Sequence, residues 1–172
     1  FFSKLIKYEK NDVNEMYTFS GFQDKKHINK LKVGLIGAGN FARSTLMPTI
    51  NNSKEGYLSA LLGREGLPLY VAQKRFNINT ITTNELDFYK NIDVLCITTP
   101  HETHFNFLKK AIELSLPVWI EKPLVISNKE LIDVQKMMLS NEMVYSIGYN
   151  RSLAPWTKFM KNKINSRKTD IE

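Results

Sequence analysis

The spacing of apolar residues along the 172-residue chain switches repeatedly between a strand and a helix period, and the switches divide it into elements. Val33, Leu35 and Ile36 sit in a short branched and aliphatic run, the pattern of a buried parallel strand. From Asn40 the period becomes helical, with Ala42, Leu46 and Ile50 on one face as far as residue 51. Pro48 lies inside that stretch and lacks an N–H, so a kink or an early end is predicted there. Residues 57–62 read as a second strand, 67–76 as a helix and 78–81 as a third strand. Thr82-Thr83-Asn84-Glu85 has the spacing of a capping box, which predicts a short helix. Residues 93–98 form a fourth strand. Phe105, Leu108 and Ile112 then recur at helical spacing, with Lys109, Lys110 and Glu113 facing outward. Residues 117–120 read as a fifth strand. Ser127 with Glu130 opens a helix whose inner face carries Leu131, Val134 and Met138. Residues 144–148 read as a sixth strand, and Trp156, Phe159, Met160 and Ile164 mark a last helix.

Strands alternating with helices build right-handed βαβ units. The expected fold is therefore α/β, a doubly wound and mostly parallel sheet with helices on both faces, over residues 32–152. The flanks read differently. Leu5, Ile6, Tyr8, Val13, Met16, Tyr17 and Phe19 give a short amphipathic pattern, and Asp12 to Glu15 resembles a helix start. Residues 20–30 are polar and carry Gly21, so residues 1–31 are expected to be an arm and linker, either packed on the sheet or belonging to a preceding domain. Residues 153–172 are expected to be a helix leading away from the sheet. The first residue is Phe1 rather than Met, which fits a piece of a longer polypeptide.

Composition narrows the function. The net charge is +7. The basic residues are scattered, however, and acidic residues interrupt most of the early ones, so solvated faces are expected rather than a nucleic-acid site. One cysteine, Cys96, excludes an internal disulfide and a Cys-based zinc site. Neither a membrane-spanning run nor a signal-peptide pattern is present, which predicts a cytoplasmic protein. Self-association is compatible with the sequence.

The candidate chemistry begins at the end of the first strand, where Gly37, Gly39 and Ala42 stand in the order G-x-G-x-x-A. Gly37 lets the chain turn off the strand, Gly39 removes a Cβ so that backbone can approach a pyrophosphate, and Ala42 lets the helix pack closely. Phosphates would sit on the free N–H groups at the start of the helix, near Asn40 and Phe41. This context, strand then glycines then helix, predicts a dinucleotide-binding Rossmann domain. An NAD site usually carries an acid at the end of the second strand. Here Gly63 and Arg64 stand there, with Glu65 one position late, and a guanidinium suits a 2′-phosphate. NADP is the expected cofactor, with NAD the alternative. Ligands of such sheets bind beyond the carboxyl ends of the strands. Those positions also hold Thr98, Thr99, Pro100, His101 and His104, then Glu121, Lys122 and Pro123, then Tyr149, Asn150 and Arg151. His101 and His104 have no third histidine or cysteine near them, so no metal is expected.

The succession GAGNFA, TPHETH, EKP and GYNR, across about residues 31–155, resembles the glucose–fructose oxidoreductase/inositol dehydrogenase (Gfo/Idh/MocA) family. The resemblance implies that Lys122 lies beside the nicotinamide and the substrate, as the catalytic lysine, and that Glu121 and Pro123 hold its turn, often with a cis peptide. It also implies that Thr98 to Pro100 and His104 line the nicotinamide side, and that Asn150 and Arg151 face the exit toward a second domain. Family members carry such an α/β domain, with an aspartate and a histidine that complete proton and hydride transfer. It is expected to lie outside these residues. The stretch LIKYEKNDVNEMYTF resembles the closing segment of medium-chain zinc alcohol dehydrogenases, which would fit a fusion. The expected function is hydride transfer between NAD(P) and an alcohol or ketone carbon such as that of a sugar, with this chain inactive on its own. The alternative is a module that binds the dinucleotide without chemistry, as sensor or scaffold.

Overall fold

The structure is a computed structural model that describes residues 18–20, 29–64 and 66–167. The expected helix start at Asp12 to Glu15, most of the linker, and Glu65 lie outside the described residues. Among the described residues seven strands form one sheet: β1 (Thr18–Ser20), β2 (Leu31–Ile36), β3 (Gly56–Leu62), β4 (Thr80–Thr82), β5 (Val94–Ile97), β6 (Val118–Ile120) and β7 (Tyr145–Ile147). Their order is β1-β4-β3-β2-β5-β6-β7. β2 to β7 are mutually parallel, and β1 joins β4 antiparallel. The chain builds outward from β2 through β3 to β4, then returns to add β5, β6 and β7 on the other side of β2. The sheet therefore has its switch point between β2 and β5, where a crevice opens beyond the carboxyl ends of the strands.

Alternate residues of each strand feed one of two cores. Ile36, Leu62, Leu95, Ile97, Val118 and Ile120 face α4 (His104–Glu113) and α5 (Asn128–Leu139), meeting Leu108, Ile112 and Val134. Leu35, Leu58, Leu61 and Cys96 face the opposite way, toward α1 (Met47–Asn51) and α2 (Gly66–Phe76), meeting Met47, Leu69 and Ala72. Both faces of the central strands are thus dry, as a doubly wound sheet requires, while the edge strand β7 is largely exposed. Burial pushes the Cys96 thiol up to about 12, and the residue behaves as a small hydrophobe.

Local chemistry explains where elements differ from their predicted form. The helix that starts at Asn40 does not end at Pro48. It passes through a π-helical stretch, Ala42–Leu46, in which the Met47 N–H donates to the Ala42 carbonyl five residues back. This wider turn accommodates the proline, and the Thr49 hydroxyl donates to the Thr45 carbonyl at 2.7 Å. The wider turn also rotates the inner face: Met47 is fully buried, while Leu46 and Ile50 are half-buried. At the short helix α3 (Glu85–Phe88) the cap is Asn84, not Thr82. Asn84 Oδ1 accepts from the Leu86 N–H, and Thr82 Oγ1 accepts from the Asn84 N–H instead. The box at α5 forms as predicted at Ser127, whose Oγ accepts from the Glu130 N–H. Glu130 reaches back one residue further, to the Ile126 N–H. On α5 Leu131 is exposed, and Met137 packs on the core beside Val134 and Met138. α6 (Pro155–Arg167) does not cover the sheet, because Trp156, Phe159, Met160 and Ile164 are all half or more exposed. The third strand sits two residues later than predicted, after Ile78, which is fully buried ahead of it.

Candidate functional site

The first wall of the crevice is the turn after β2. Gly37 has φ +94°, a conformation that disfavours any residue with a Cβ. A Cβ there would also stand 2.9 Å from the Thr98 carbonyl carbon and oxygen. The turn after β5 is pressed against this point and pinned to it. The Thr98 N–H donates to the Ile36 carbonyl at 2.9 Å, and the Thr98 hydroxyl donates to the Gly37 carbonyl at 2.9 Å. Thr98 therefore shapes the glycine turn and is itself largely engaged by it.

Gly39 is different. It is exposed, its φ is ordinary, and a Cβ there would meet nothing within 4 Å. No packing among the described residues requires a glycine at that position, which leaves open space beside the backbone at the head of the helix. The first N–H groups of a helix have no partners inside it. The Arg43 N–H makes the first return bond, to the Gly39 carbonyl at 3.0 Å. Ala42 is buried against the sheet, as the motif requires. Asn40 Oδ1 accepts from Arg43 Nη2 at 3.0 Å, so its side chain is already held. Phe41 stacks on Trp119, with ring centroids 6.3 Å apart and planes 18° from parallel.

Arg43, which the sequence reading did not single out, places its guanidinium on Asn40 beside this open space. A cation in the first turn opposes the helix dipole, and that misfit is the signal that could have found it. A bound phosphate reverses the sign of the interaction. Arg64 stands exposed in the turn after β3.

The second wall comes from the turns after β5 and β6. Pro100 and His101 are exposed, and His101 lies edge-on to His104 at 5.5 Å. His104 is fully buried, so it reaches the crevice only through its neighbours. Its Nδ1 lies 2.7 Å from the Pro123 carbonyl and its Nε2 2.9 Å from the Thr99 carbonyl. Lys122 is exposed, and the peptide joining it to Pro123 is cis. Glu121 donates its N–H to the Ile97 carbonyl at 2.9 Å, extending the β5–β6 ladder by one rung. Its Oε2 is buried without a hydrogen-bond partner, and the same is true of Thr99 Oγ1. Gly148 makes room for that carboxylate: a Cβ there would stand 2.8 Å from Oε2. Asn150 is exposed at the head of a 3₁₀ turn, Asn150–Leu153, beyond β7.

Asn79 Oδ1 and Tyr89 OH are also buried without partners, so the two oxygens at this end of the sheet are compatible with a donating ligand but do not by themselves mark one. The open cradle at Gly39 and the basic Arg43 fit a pyrophosphate. Among the described residues, no group of three His, Cys, Asp or Glu could hold a metal ion, and no helix is long and apolar enough to cross a membrane.

Comparison with known proteins agrees with the fold. Residues 31–149 match the model of an oxidoreductase family described by its NAD-binding Rossmann fold. Oxidoreductase P35 of Formosa agariphila is 29% identical over 133 residues, which cover 76% of this chain and 41% of that protein. Scyllo-inositol dehydrogenase from Lactobacillus casei, with bound NAD(H) and scyllo-inositol, superposes with a TM-score of 0.75 at 17% identity, covering 81% of this chain and 42% of that one. The 3-ketoreductase KijD10 from Actinomadura kijaniata, in complex with NADP, gives 0.73 at 16% identity, covering 80% and 44%. The chain thus spans well under half the length of these proteins.

Proposed function

Since the chain belongs to the Gfo/Idh/MocA oxidoreductase family, we propose that it is the cofactor-binding domain of a cytoplasmic NAD(P)-dependent oxidoreductase acting on an alcohol or ketone carbon of a sugar or polyol. The observation that carries this reading is the paired character of the two glycines. Gly37 is demanded by the fold, whereas Gly39 is demanded by nothing among the described residues and leaves space that suits a pyrophosphate.

The residues divide the work as follows. The helix N-terminus at Gly39 to Phe41 and the Arg43 guanidinium hold the pyrophosphate. Arg64 takes the 2′-phosphate of NADP, so NADP(H) is preferred over NAD(H). Thr98, Thr99 and Pro100 form the floor under the nicotinamide. When bound, the nicotinamide ring gives or accepts the hydride. Lys122 Nζ stands free at the crevice, able to donate a hydrogen bond or a proton to the substrate oxygen as its charge changes. The substrate is held jointly with residues beyond this domain, and Asn150 lies on the side from which it enters.

A titration of the chain with NADPH and with NADH, followed by nicotinamide fluorescence, tests the reading. Saturable binding of both, tighter for NADPH, is the expected result. If neither cofactor bound, the reading would be lost. Binding without hydride transfer in a polypeptide of the relatives' length would leave a sensor or scaffold.

A further inference from the structure

We infer that His104 is a positioning residue of the crevice, which ties the turn after β5 to the turn after β6 and so fixes where Lys122 stands. The inference rests on the cofactor reading above and deepens it. The ladder between β5 and β6 pairs Leu95, Cys96 and Ile97 with Val118, Trp119 and Ile120, and is extended by the Glu121 N–H. Beyond that rung the two chains leave the sheet as separate turns. His104, at the head of α4, lies between them with its ring wholly buried. One nitrogen addresses the Pro123 carbonyl, next to Lys122, and the other addresses the Thr99 carbonyl, next to Pro100.

The choice of side chain has a physical reason. A flat ring with two nitrogens at fixed divergence can reach two carbonyls in different directions at one separation. A neutral imidazole donates to one of them and the imidazolium to both. Removing the ring would take the donor from the carbonyl that a neutral imidazole serves, or from both carbonyls of an imidazolium, and would remove the group that spans the two turns. Lys122 is exposed and has no tether of its own in its side chain, so its location depends on the backbone it shares with Pro123. A shift of the Thr99 turn moves the floor of the nicotinamide at the same time. Reaction geometry tolerates errors of only about half an ångström, so a tie of this kind acts on chemistry without touching the ligand.

The test separates the two ends of the cofactor. Affinities are measured by calorimetry for NADPH and NADH, and for their adenosine halves, 2′,5′-ADP and ADP. His104→Phe keeps the shape of the ring and removes both donors. His104→Asn keeps a donor near the Nδ1 position, toward Pro123, and His104→Gln keeps one near Nε2, toward Thr99. The expected result for His104→Phe is a loss of about tenfold or more in the affinity of the preferred dinucleotide, with its adenosine half changed by less than about twofold. At least one of His104→Asn and His104→Gln, the one that restores the donor the imidazole supplies, should recover part of the loss. Equal losses for dinucleotide and adenosine half would show a merely structural residue and overturn the proposal, as would unchanged affinity for both. If His104→Phe failed to fold, the His104→Asn and His104→Gln variants would decide by the same comparison. A wild-type chain that bound neither dinucleotide nor adenosine half would instead remove the cofactor reading itself.

Discussion

Gly37 and Gly39 stand two residues apart in one motif and are glycine for different reasons. At Gly37 a methyl group would meet the Thr98 backbone at 2.9 Å in a conformation with φ +94°. Gly37→Ala should therefore destabilise the fold by about 1–3 kcal/mol or more, measured by urea denaturation. At Gly39 there is open space, so Gly39→Val should leave the unfolding free energy within about 0.5 kcal/mol of wild type. It should nevertheless weaken NADPH by about a hundredfold or more, because the branched side chain stands where phosphate must approach. A Gly39→Val chain with normal affinity would move the nucleotide site elsewhere. Arg64 offers a second contrast at this scale. Charge-assisted hydrogen bonds contribute about 1.5–3 kcal/mol, so Arg64→Ala should weaken NADPH by roughly ten- to a hundredfold and leave NADH nearly unchanged. Tighter binding of NADH than NADPH by the wild-type chain would refute that assignment. The sequence makes these residues visible because each is paired with a spacing rule. His104 was visible only as a member of TPHETH, since its burial depends on α4 docking against the turns that carry Thr99 and Pro123. Arg43 escaped for the same kind of reason, its interest lying in a helix end that periodicity alone does not mark as charged.

Elements were legible where one local signal decided them. The parallel strands announce themselves as dry runs because both faces are covered, and Leu35, Leu61, Leu95 and Ile120 are all fully buried. The cap of α5 was readable because Ser127 and Glu130 are three apart, and both bonds form within one turn. Ser127→Ala should thus cost about 1 kcal/mol in chemical denaturation, with no effect on cofactor affinity, since α5 lies on the face away from the glycine turn. No change in stability would mean that Glu130 alone caps the helix. Elements were illegible where tertiary pairing decided them. β1 is three residues long, and its edge position comes from pairing with β4 and from the hydroxyl contact of Thr18 with Thr82 at 2.8 Å. The π turn before Pro48 is a negotiated result of the same kind. The proline signal predicts an interruption, but the burial of Met47 and Ala42 against the sheet holds the helix together through it.

At the scale of the molecule the described residues give the crevice two walls, the turn after β2 and the turns after β5 and β6. Thr98 and Gly37 clamp the glycine turn, His104 clamps the turns after β5 and β6, and Lys122 projects from the second clamp into solvent. Hydride transfer needs the substrate carbon, the nicotinamide and an acid–base group held together with water excluded. An exposed lysine in a wet crevice interacts weakly, because water screens its charge. The 172-residue chain is accordingly expected to bind cofactor and to transfer hydride to polyols no faster than background. A polypeptide that carries this chain at the length of its relatives is expected to transfer it. In that longer polypeptide Lys122→Met should lower kcat by at least about a hundredfold, the usual effect of losing one acid–base or charge-stabilising group. Thermal stability should change little, since an exposed side chain buries little surface. Single-turnover absorbance of the nicotinamide, recorded for the chain, the longer polypeptide and its Lys122→Met variant, distinguishes the cases. Activity in the chain alone would mean that the crevice is complete as it stands. A longer polypeptide indifferent to Lys122→Met would take this lysine out of the chemistry, and the surviving role for the domain would be to bind the dinucleotide and report it.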